Sequence, residues 1–182
     1  MSDTHQPEDL IRLFARCFES RYQTRLVRGD GEPEYLPADG HWRYNRVIFA
    51  HGHYASALHE ISHWCIAGAR RRQLPDYGYW YCPDGRDAQQ QALFEQVEVR
   101  PQAIEWHFAR AAGSPFHLSL DNLSGETSGQ YPRFREAVWQ QAQIYLKEGL
   151  PARAACFRQA LLDHYQRHSS FGPELFTLHS LT

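Results

Sequence analysis

Apolar residues recur at helical spacing in several segments of the chain. Residues three and four positions apart share one face of a helix, so this spacing predicts amphipathic helices. The predicted segments are Glu8 to Tyr22, Tyr54 to Ala67, a long helix from Ala88, Arg133 to Lys147, and Ala152 to His168. Gly68 is expected to cap the end of the second helix, and Asp87 to cap the start of the third. Pro101 lacks a backbone N–H, so we expect a kink or a restart there.

The rest of the pattern predicts a small sheet and connecting loops. Val47, Ile48 and Phe49 stand in a row within the segment 46–50, which favours a buried strand. Residues 29–40 and 114–132 are rich in turn formers and predict loops, whereas 74–84 predicts a strand or an ordered loop. No linker is long enough to divide the chain. We therefore predict one α+β domain over residues 1–182, with its sheet packed against helices and a loosely ordered tail at about 169–182.

Composition and charge narrow the class of protein. The 182 residues are 42% hydrophobic and carry a formal net charge of −2. This balance indicates a globular domain and argues against attraction of the whole molecule to nucleic acid or to an anionic membrane. The first ten residues are polar, and no apolar stretch approaches the ~20 residues that span a bilayer. We therefore expect a cytoplasmic protein.

The segment Leu58 to Trp64 carries the pattern H-E-x-x-H inside a predicted helix. His59 and His63 are four positions apart, so both imidazoles lie on one face and can reach the same metal ion. Glu60 occupies the position of the general base in zinc peptidases with this motif. Because unpaired polar groups are costly in a buried helix, the motif favours metal binding over histidines satisfied by core hydrogen bonds.

A catalytic metal site needs a third protein ligand and an open position. The third predicted helix offers Glu95, Glu98 and Glu105 as carboxylate ligands. Spacing alone does not decide between Glu95 and Glu98. We favour Glu98 because it lies just before the break expected at Pro101, and we keep Glu95 as its partner or substitute.

Two histidines and one carboxylate have more than one chemical meaning. With zinc they form a hydrolase site, and a peptidase would use His59, His63 and Glu60. With ferrous iron they form the facial triad of oxygen-activating enzymes. A metal-stabilised binding module is a further alternative, in which His51 or His53 would close the site as fourth ligand. A di-iron bundle is disfavoured because the sequence has no second E-x-x-H.

Longer segments of the chain are more specific than the H-E-x-x-H pattern. They are Tyr35 to Asp39, Tyr44 to Arg46, Ile48 to Gly52, Ala57 to Gly68, Tyr77 to Gln89, and Phe94 to Ala103. Together they resemble the elongation factor P hydroxylase family. The resemblance extends from about Leu10 to Tyr165, which is nearly the whole chain.

This resemblance implies an activity and a set of ligands. Family members hydroxylate a lysine of elongation factor P, after another enzyme has extended that lysine with a β-lysyl group. A zincin-like α+β fold is implied, and the metal ligands carried over are His59, His63 and Glu98. Glu60 would position a proton or the substrate amine. We expect Fe(II) as the metal, with zinc as the alternative, dioxygen as co-substrate and elongation factor P as protein partner.

A substrate side chain that carries ammonium groups should meet carboxylates and aromatic faces. Asp84, Asp87 and Tyr79 supply both in the Tyr-rich segment, and we predict that they bind the substrate. Glu32 and Glu34 are further candidates for the same role. The alternative is that Asp87 only caps a helix and that the aromatic side chains only pack.

Overall fold

Helices form most of the described backbone in the computed structural model, which describes residues 5–79, 86–119 and 131–181. Their bounds are α1 (Pro7–Phe14), α2 (Ser20–Tyr22), α3 (Tyr54–Ile66), α4 (Ala88–Ala112), α5 (Tyr131–Glu148) and α6 (Ala152–His164). Every helix that the apolar spacing predicts is therefore present. The predictions differ from the structure mainly at the ends of the helices.

The N-terminal helix is continuous from α1 to α2 through a π-helical segment, Ala15–Glu19. Phe14 and Phe18 lie on its buried face. Their ring centroids are 5.0 and 4.8 Å from that of Trp64 on α3. Aromatic pairs at such distances add stability beyond their burial, so this contact holds α3, the helix with the H-E-x-x-H pattern, in place.

Three strands, β1 (Thr24–Arg28), β2 (Glu34–Leu36) and β3 (Asn45–Phe49), form one sheet in the order β1-β3-β2. β1 runs parallel to β3, and β2 runs antiparallel to it. The prediction of a strand at β3 is confirmed. The prediction that residues 29–40 form only a loop is wrong, because β2 lies within them. With three residues and one buried side chain, Tyr35, β2 leaves no periodic signal in the sequence.

The end of α3 differs from the prediction that Gly68 caps it. The helix ends at Ile66, and Ala67 is extended, with φ −63° and ψ 121°. Arginine side chains satisfy the last carbonyl groups in place of a left-handed glycine. Arg153 donates to the carbonyl oxygens of Cys65 and Ala67 at 3.0 and 2.5 Å, and Arg72 donates to that of Ala67 at 2.6 Å. The Arg153 contacts come from a distant part of the chain, so local sequence does not indicate them, whereas Arg72 lies only five residues after Ala67.

Pro101 lies inside α4, and the helix continues through it to Ala112. The restart expected there is therefore absent. Residues 101–109 are all buried, and α4 packs against α3, α5 and α6. Burial of this apolar surface offsets the hydrogen bond that proline cannot make. Gly113, with φ 74°, ends the helix in the left-handed conformation.

Two side chains of the C-terminal segment, where the sequence predicts a loosely ordered tail, are packed against the rest of the domain. Phe176 is 2% exposed and Leu181 is fully buried. Trp139 and Gln143 on α5 donate to the carbonyl oxygen of Phe176 at 3.1 and 2.7 Å. The segment makes these contacts through single side chains and short 3-10 turns, which produce no periodicity in the sequence.

The protein is thus a helix-rich single domain with a small three-stranded sheet. α3 packs against strand β3, the N-terminal helix, α4 and α6, and α4 in turn packs against α5 and α6. Within the described parts of the chain, every helix is too short or too polar to cross a lipid bilayer.

Candidate metal centre

α3 presents the two histidines of the H-E-x-x-H pattern on one face, as their spacing predicts. The ring centroids of His59 and His63 are 4.7 Å apart, and their Nε2 atoms are 3.1 Å apart. The side chains are 22% and 14% exposed. Other positions of the helix, such as Ile61 and Trp64, are fully buried and fix its orientation. Two imidazole nitrogens therefore meet at the edge of the core.

Glu98 reaches both histidines from α4. Its Oε1 is 3.2 Å from Nε2 of His63, and its Oε2 is 3.6 Å from Nε2 of His59. The three side chains offer ligand atoms that all lie within 4.8 Å of one another. Two imidazoles and one carboxylate are a donor set that divalent zinc or ferrous iron accepts. These three residues therefore fit a metal ion.

Glu98 is held in its ionised form. Burial by itself raises the pKa of Glu98, but His63, His59 and a hydrogen bond from Gln102 lower it to about 2. The side chain is 2% exposed. Gln102 Nε2 donates both to Glu98 Oε2, at 3.4 Å, and to the carbonyl oxygen of Ser119, at 2.6 Å. A buried, oriented carboxylate of this kind is suited to bind a cation.

For Glu105 the sequence suggested a metal ligand but did not indicate its contact with His59. It appears among the candidate ligands, but its Oε2 lies 2.8 Å from Nδ1 of His59, on the far side of the imidazole from Glu98. A carboxylate on Nδ1 orients the ring and leaves Nε2 free for a metal. The spacing of the two glutamates could have predicted this contact. Glu98 and Glu105 are seven positions apart, which places them two turns apart on the same face of α4.

The carboxylates around His59 change its affinity for protons. Burial lowers the pKa of His59, but Glu105, Glu98 and Glu60 raise it well above its usual value. The surroundings therefore favour a positive charge at this position, carried either by a proton or by a metal ion.

Glu95, the alternative third ligand, does not join the two histidines. It is 7% exposed, and its Oε1 accepts a hydrogen bond from Gln91 Nε2 at 3.3 Å. The group of possible ligands among the described residues also leaves out His51 and His53, which are exposed. The structure therefore brings Glu98, and not Glu95, to the H-E-x-x-H helix.

Glu60 lies beside the candidate metal centre, in a cavity that it lines together with His63. The cavity has a volume of about 200 Å³. Burial raises the pKa of Glu60, the two histidines lower it, and nearby carboxylates leave it above its usual value. Glu60 is therefore placed to exchange a proton with a molecule in the cavity.

The residues predicted to bind substrate have different positions. Tyr79 lines the same cavity, and its exposed ring lies 4.1 Å below the guanidinium of Arg71. Asp87 caps α4, where it accepts from the backbone N–H of Gln90, so the structure gives it the capping role. Asp87 is exposed and is not among the residues that line the cavity. Asp84 lies outside the described residues.

The fold and the site define a helix-rich domain in which an H-E-x-x-H helix faces a buried carboxylate. Residues 13–176 match the profile of the family described as Elongation factor P hydroxylase. The chain is also 52% identical over 161 residues to the Elongation factor P lysine hydroxylase of Haemophilus influenzae, which covers 88% of this chain and 90% of that protein. The chain belongs to the elongation factor P hydroxylase family, as its motifs predict.

Proposed function

We propose that this protein hydroxylates a lysine of elongation factor P, in the form that already carries a β-lysyl extension. The observation that carries the proposal is the convergence of His59, His63 and Glu98 beside a cavity, in a chain with 52% identity to a protein named for this activity. The substrate is a translation factor, so the proposed place of action is the cytoplasm.

In this proposal His59, His63 and Glu98 hold Fe(II). When bound there, Fe(II) supplies the activation of dioxygen. Glu105 keeps the His59 ring oriented, and Gln102 keeps the Glu98 carboxylate oriented. Glu60, in the adjoining cavity, holds or accepts a proton of the substrate amine.

The single domain is proposed to carry the whole activity, with a zincin-like arrangement around the metal. Its basis is the packing of the H-E-x-x-H helix α3 directly against strand β3. In that arrangement the third ligand arrives from the next helix, which here is α4.

The test is the mass of the modified lysine peptide of elongation factor P. β-Lysylated elongation factor P is incubated with the purified protein, Fe(II), dioxygen and a reductant, because hydroxylation by dioxygen consumes two further electrons. The proposal expects a gain of one oxygen atom. His63→Ala should abolish the gain, whereas His53→Ala, an exposed histidine just before the same helix, should retain it.

The same reaction separates the hydroxylase from its chief alternative. A zinc peptidase would use Glu60, in the same cavity, as general base, and would shorten its substrate without adding oxygen. An unchanged peptide mass with the intact protein contradicts the hydroxylase. Zinc-dependent cleavage that Glu60→Gln abolishes would then establish the peptidase.

A further inference from the structure

The chain turns back after α4 and runs along that helix toward the candidate metal centre. The backbone N–H of Ser114 donates to the carbonyl oxygen of Ala109 at 2.9 Å. The ring of Phe116 is stacked on that of Trp106, with centroids 6.0 Å apart. Each contact meets α4 nearer to its start than the one before. Residues 114–119, which we call the return segment, therefore approach the metal centre along α4.

The return segment ends against Gln102, about one helical turn after the candidate ligand Glu98. Gln102 Nε2 donates to the carbonyl oxygen of Ser119 at 2.6 Å, and its Oε1 accepts from the N–H of Ser119 at 3.1 Å. Nε2 also donates to Glu98 Oε2 at 3.4 Å. Gln102 is 1% exposed, so water does not replace these partners. One buried amide thus joins the backbone of the return segment to the carboxylate.

The partners of Gln102 fix which way its amide points. A side-chain amide has N–H donors at one end and an oxygen acceptor at the other. If the amide were reversed, its oxygen would face the Glu98 carboxylate and the carbonyl oxygen of Ser119, and its N–H groups would face the N–H of Ser119. Only the observed orientation satisfies every group. The carboxylate and the return segment therefore hold the amide together, as members of one hydrogen-bond network.

The alternative is that Gln102 only stabilises the core, and α4 contains a second buried amide for comparison. Gln91 is 2% exposed, and its Nε2 donates to Glu95 Oε1 at 3.3 Å, also four positions away. Glu95 lies outside the group of possible metal ligands. A purely structural amide–carboxylate pair on this helix is therefore available as a control for the pair at the metal centre.

We propose that Gln102 is a positioning residue that couples the metal centre to the return segment, so that metal binding at Glu98 orders the backbone at Ser119. The inference rests on the metal centre of the proposed function and adds to it a backbone segment that supplies no ligand. With a metal ion bound, the Glu98 carboxylate is held in one position, and it holds the amide that pairs with Ser119. Such coupling is reciprocal, so pairing with Ser119 strengthens metal binding by the same factor.

The first test is hydrogen exchange of the Ser119 backbone N–H, measured by NMR in the full-length protein with and without Zn(II). Amide exchange reports local opening, so it measures the order of the return segment directly. The proposal expects exchange to be about tenfold slower with Zn(II) bound, the lower end of the effect of groups that orient metal ligands. This measurement uses the wild type and does not depend on the stability of any variant.

The second test removes the amide by Gln102→Met. Methionine has a similar size and flexibility but no N–H donor for the carboxylate or the backbone. Zn(II) binding should weaken by about tenfold in competition with a chromogenic chelator. At saturating Zn(II), exchange at Ser119 should be no slower than without metal, because the connection to Glu98 is absent.

Gln91→Met is the matched control, because it removes the equivalent amide at the other end of α4. Both the Zn(II) affinity and the slower exchange at Ser119 should stay within about twofold of the wild type, since a buried amide that contacts no ligand has no effect on the ligands. General stabilisation of the fold by metal would instead slow exchange at Ser119 in Gln102→Met as well.

Two results would overturn the coupling. One is exchange at Ser119 in the wild type that Zn(II) leaves unchanged, and the other is an equal loss of Zn(II) affinity in Gln102→Met and Gln91→Met. Failure of the proposed function gives a different result. Zn(II)-dependent protection of Ser119 that needs Gln102, without oxygen transfer to elongation factor P, supports the coupling and rejects the hydroxylase. Oxygen transfer without that protection rejects only the coupling.

Discussion

Two faces of α4 bring two histidines into opposite electrostatic surroundings: one face contacts the partly exposed His59 of α3, and the other carries the buried His107. Glu105 on one face lies 2.8 Å from His59 Nδ1. His107, two positions later and so roughly 200° around the helix, belongs to the other face. Its Nε2 donates to the carbonyl oxygen of Ala142 at 3.2 Å, and Arg158 Nη1 lies 3.4 Å from its Nδ1.

The difference shows how surroundings give one residue type two roles. Carboxylates raise the pKa of His59 well above its usual value. For His107, burial and the charge of Arg158 lower the pKa, the hydrogen bond to the Ala142 carbonyl opposes them, and the resulting pKa is about 4. His107 is therefore a neutral core residue with its hydrogen bonds satisfied inside the fold. His59 stands where a cation is favoured, and that is the property of a metal ligand.

The largest expected effect is the loss of metal affinity when Glu98 is replaced, on the face of α4 that carries Glu98 and Glu105. Structural zinc sites bind with about 10–16 kcal/mol, or about 3 kcal/mol per ligand, so Glu98→Gln should weaken Fe(II) or Zn(II) binding by more than about 100-fold. Competition with a chromogenic chelator measures the affinity. Glu95→Gln is the matched control, since Glu95 is a buried acid of the same helix outside the ligand group. Loss of metal in Glu95→Gln instead would reverse the assignment.

The second effect is a pH dependence of the free energy of unfolding that comes from His107, on the opposite face of α4. The unfolded chain binds a proton at His107 near the ordinary histidine pKa of 6.5, whereas the folded protein does so only near pH 4. Stability from this group is therefore complete above pH 6.5 and is lost as the pH falls, by up to about 3 kcal/mol near pH 4. Urea unfolding of the wild type and His107→Gln between about pH 7 and pH 4 measures the difference.

His107→Gln keeps a donor for the Ala142 carbonyl and removes the titration, so its free energy of unfolding should fall less steeply with acid. Carboxylates elsewhere titrate equally in both proteins and cancel in the comparison. Parallel curves for the two proteins would contradict a neutral buried role for His107.

The third effect returns to the carboxylate face, at Glu105. Groups that orient a metal-bound imidazole contribute about 10- to 100-fold to metal affinity, so Glu105→Gln should weaken binding within that range without abolishing it. His107→Gln, from the other face, should leave metal affinity unchanged. Equal metal affinities in Glu105→Gln and the wild type would show that His59 needs no partner on Nδ1.

The sequence predicted some residues around His59 and His107 better than others. His59 and His63 follow from a four-residue spacing, because a helix stacks positions four apart. Glu98 was favoured because it precedes Pro101, where a kink or a restart was expected. α4 continues through Pro101 without a restart, so a break in the helix does not explain why Glu98 reaches the two histidines. The burial of α4 on every side from 101 to 109 removes the apolar period that would have distinguished Glu105 from His107.

The parts of the site that sequence did not indicate depend on contacts between distant segments. Asp76 reaches the cavity through a left-handed turn fixed on β2, and β2 itself was predicted as a loop. Asp87, which the Tyr-rich motif favoured as a substrate ligand, caps α4. Helical periodicity was thus sufficient for the α3–α4 framework. Turns and short strands were not predictable, because their conformation is set by single tertiary hydrogen bonds.

The smallest expected effect is that of Trp139→Phe, which should lower stability without changing metal affinity. Trp139 on α5 donates to the carbonyl oxygen of Phe176, whose ring centroid is 4.3 Å from that of His107. Trp139→Phe should lower the free energy of unfolding by about 1 kcal/mol, the usual value of one hydrogen bond, because Gln143 still donates to the same carbonyl. Metal affinity should not change, since this contact lies on the His107 face of α4. Weaker metal binding in Trp139→Phe would show that the two faces are coupled through the helix, and the separate roles of His59 and His107 would then have to be abandoned.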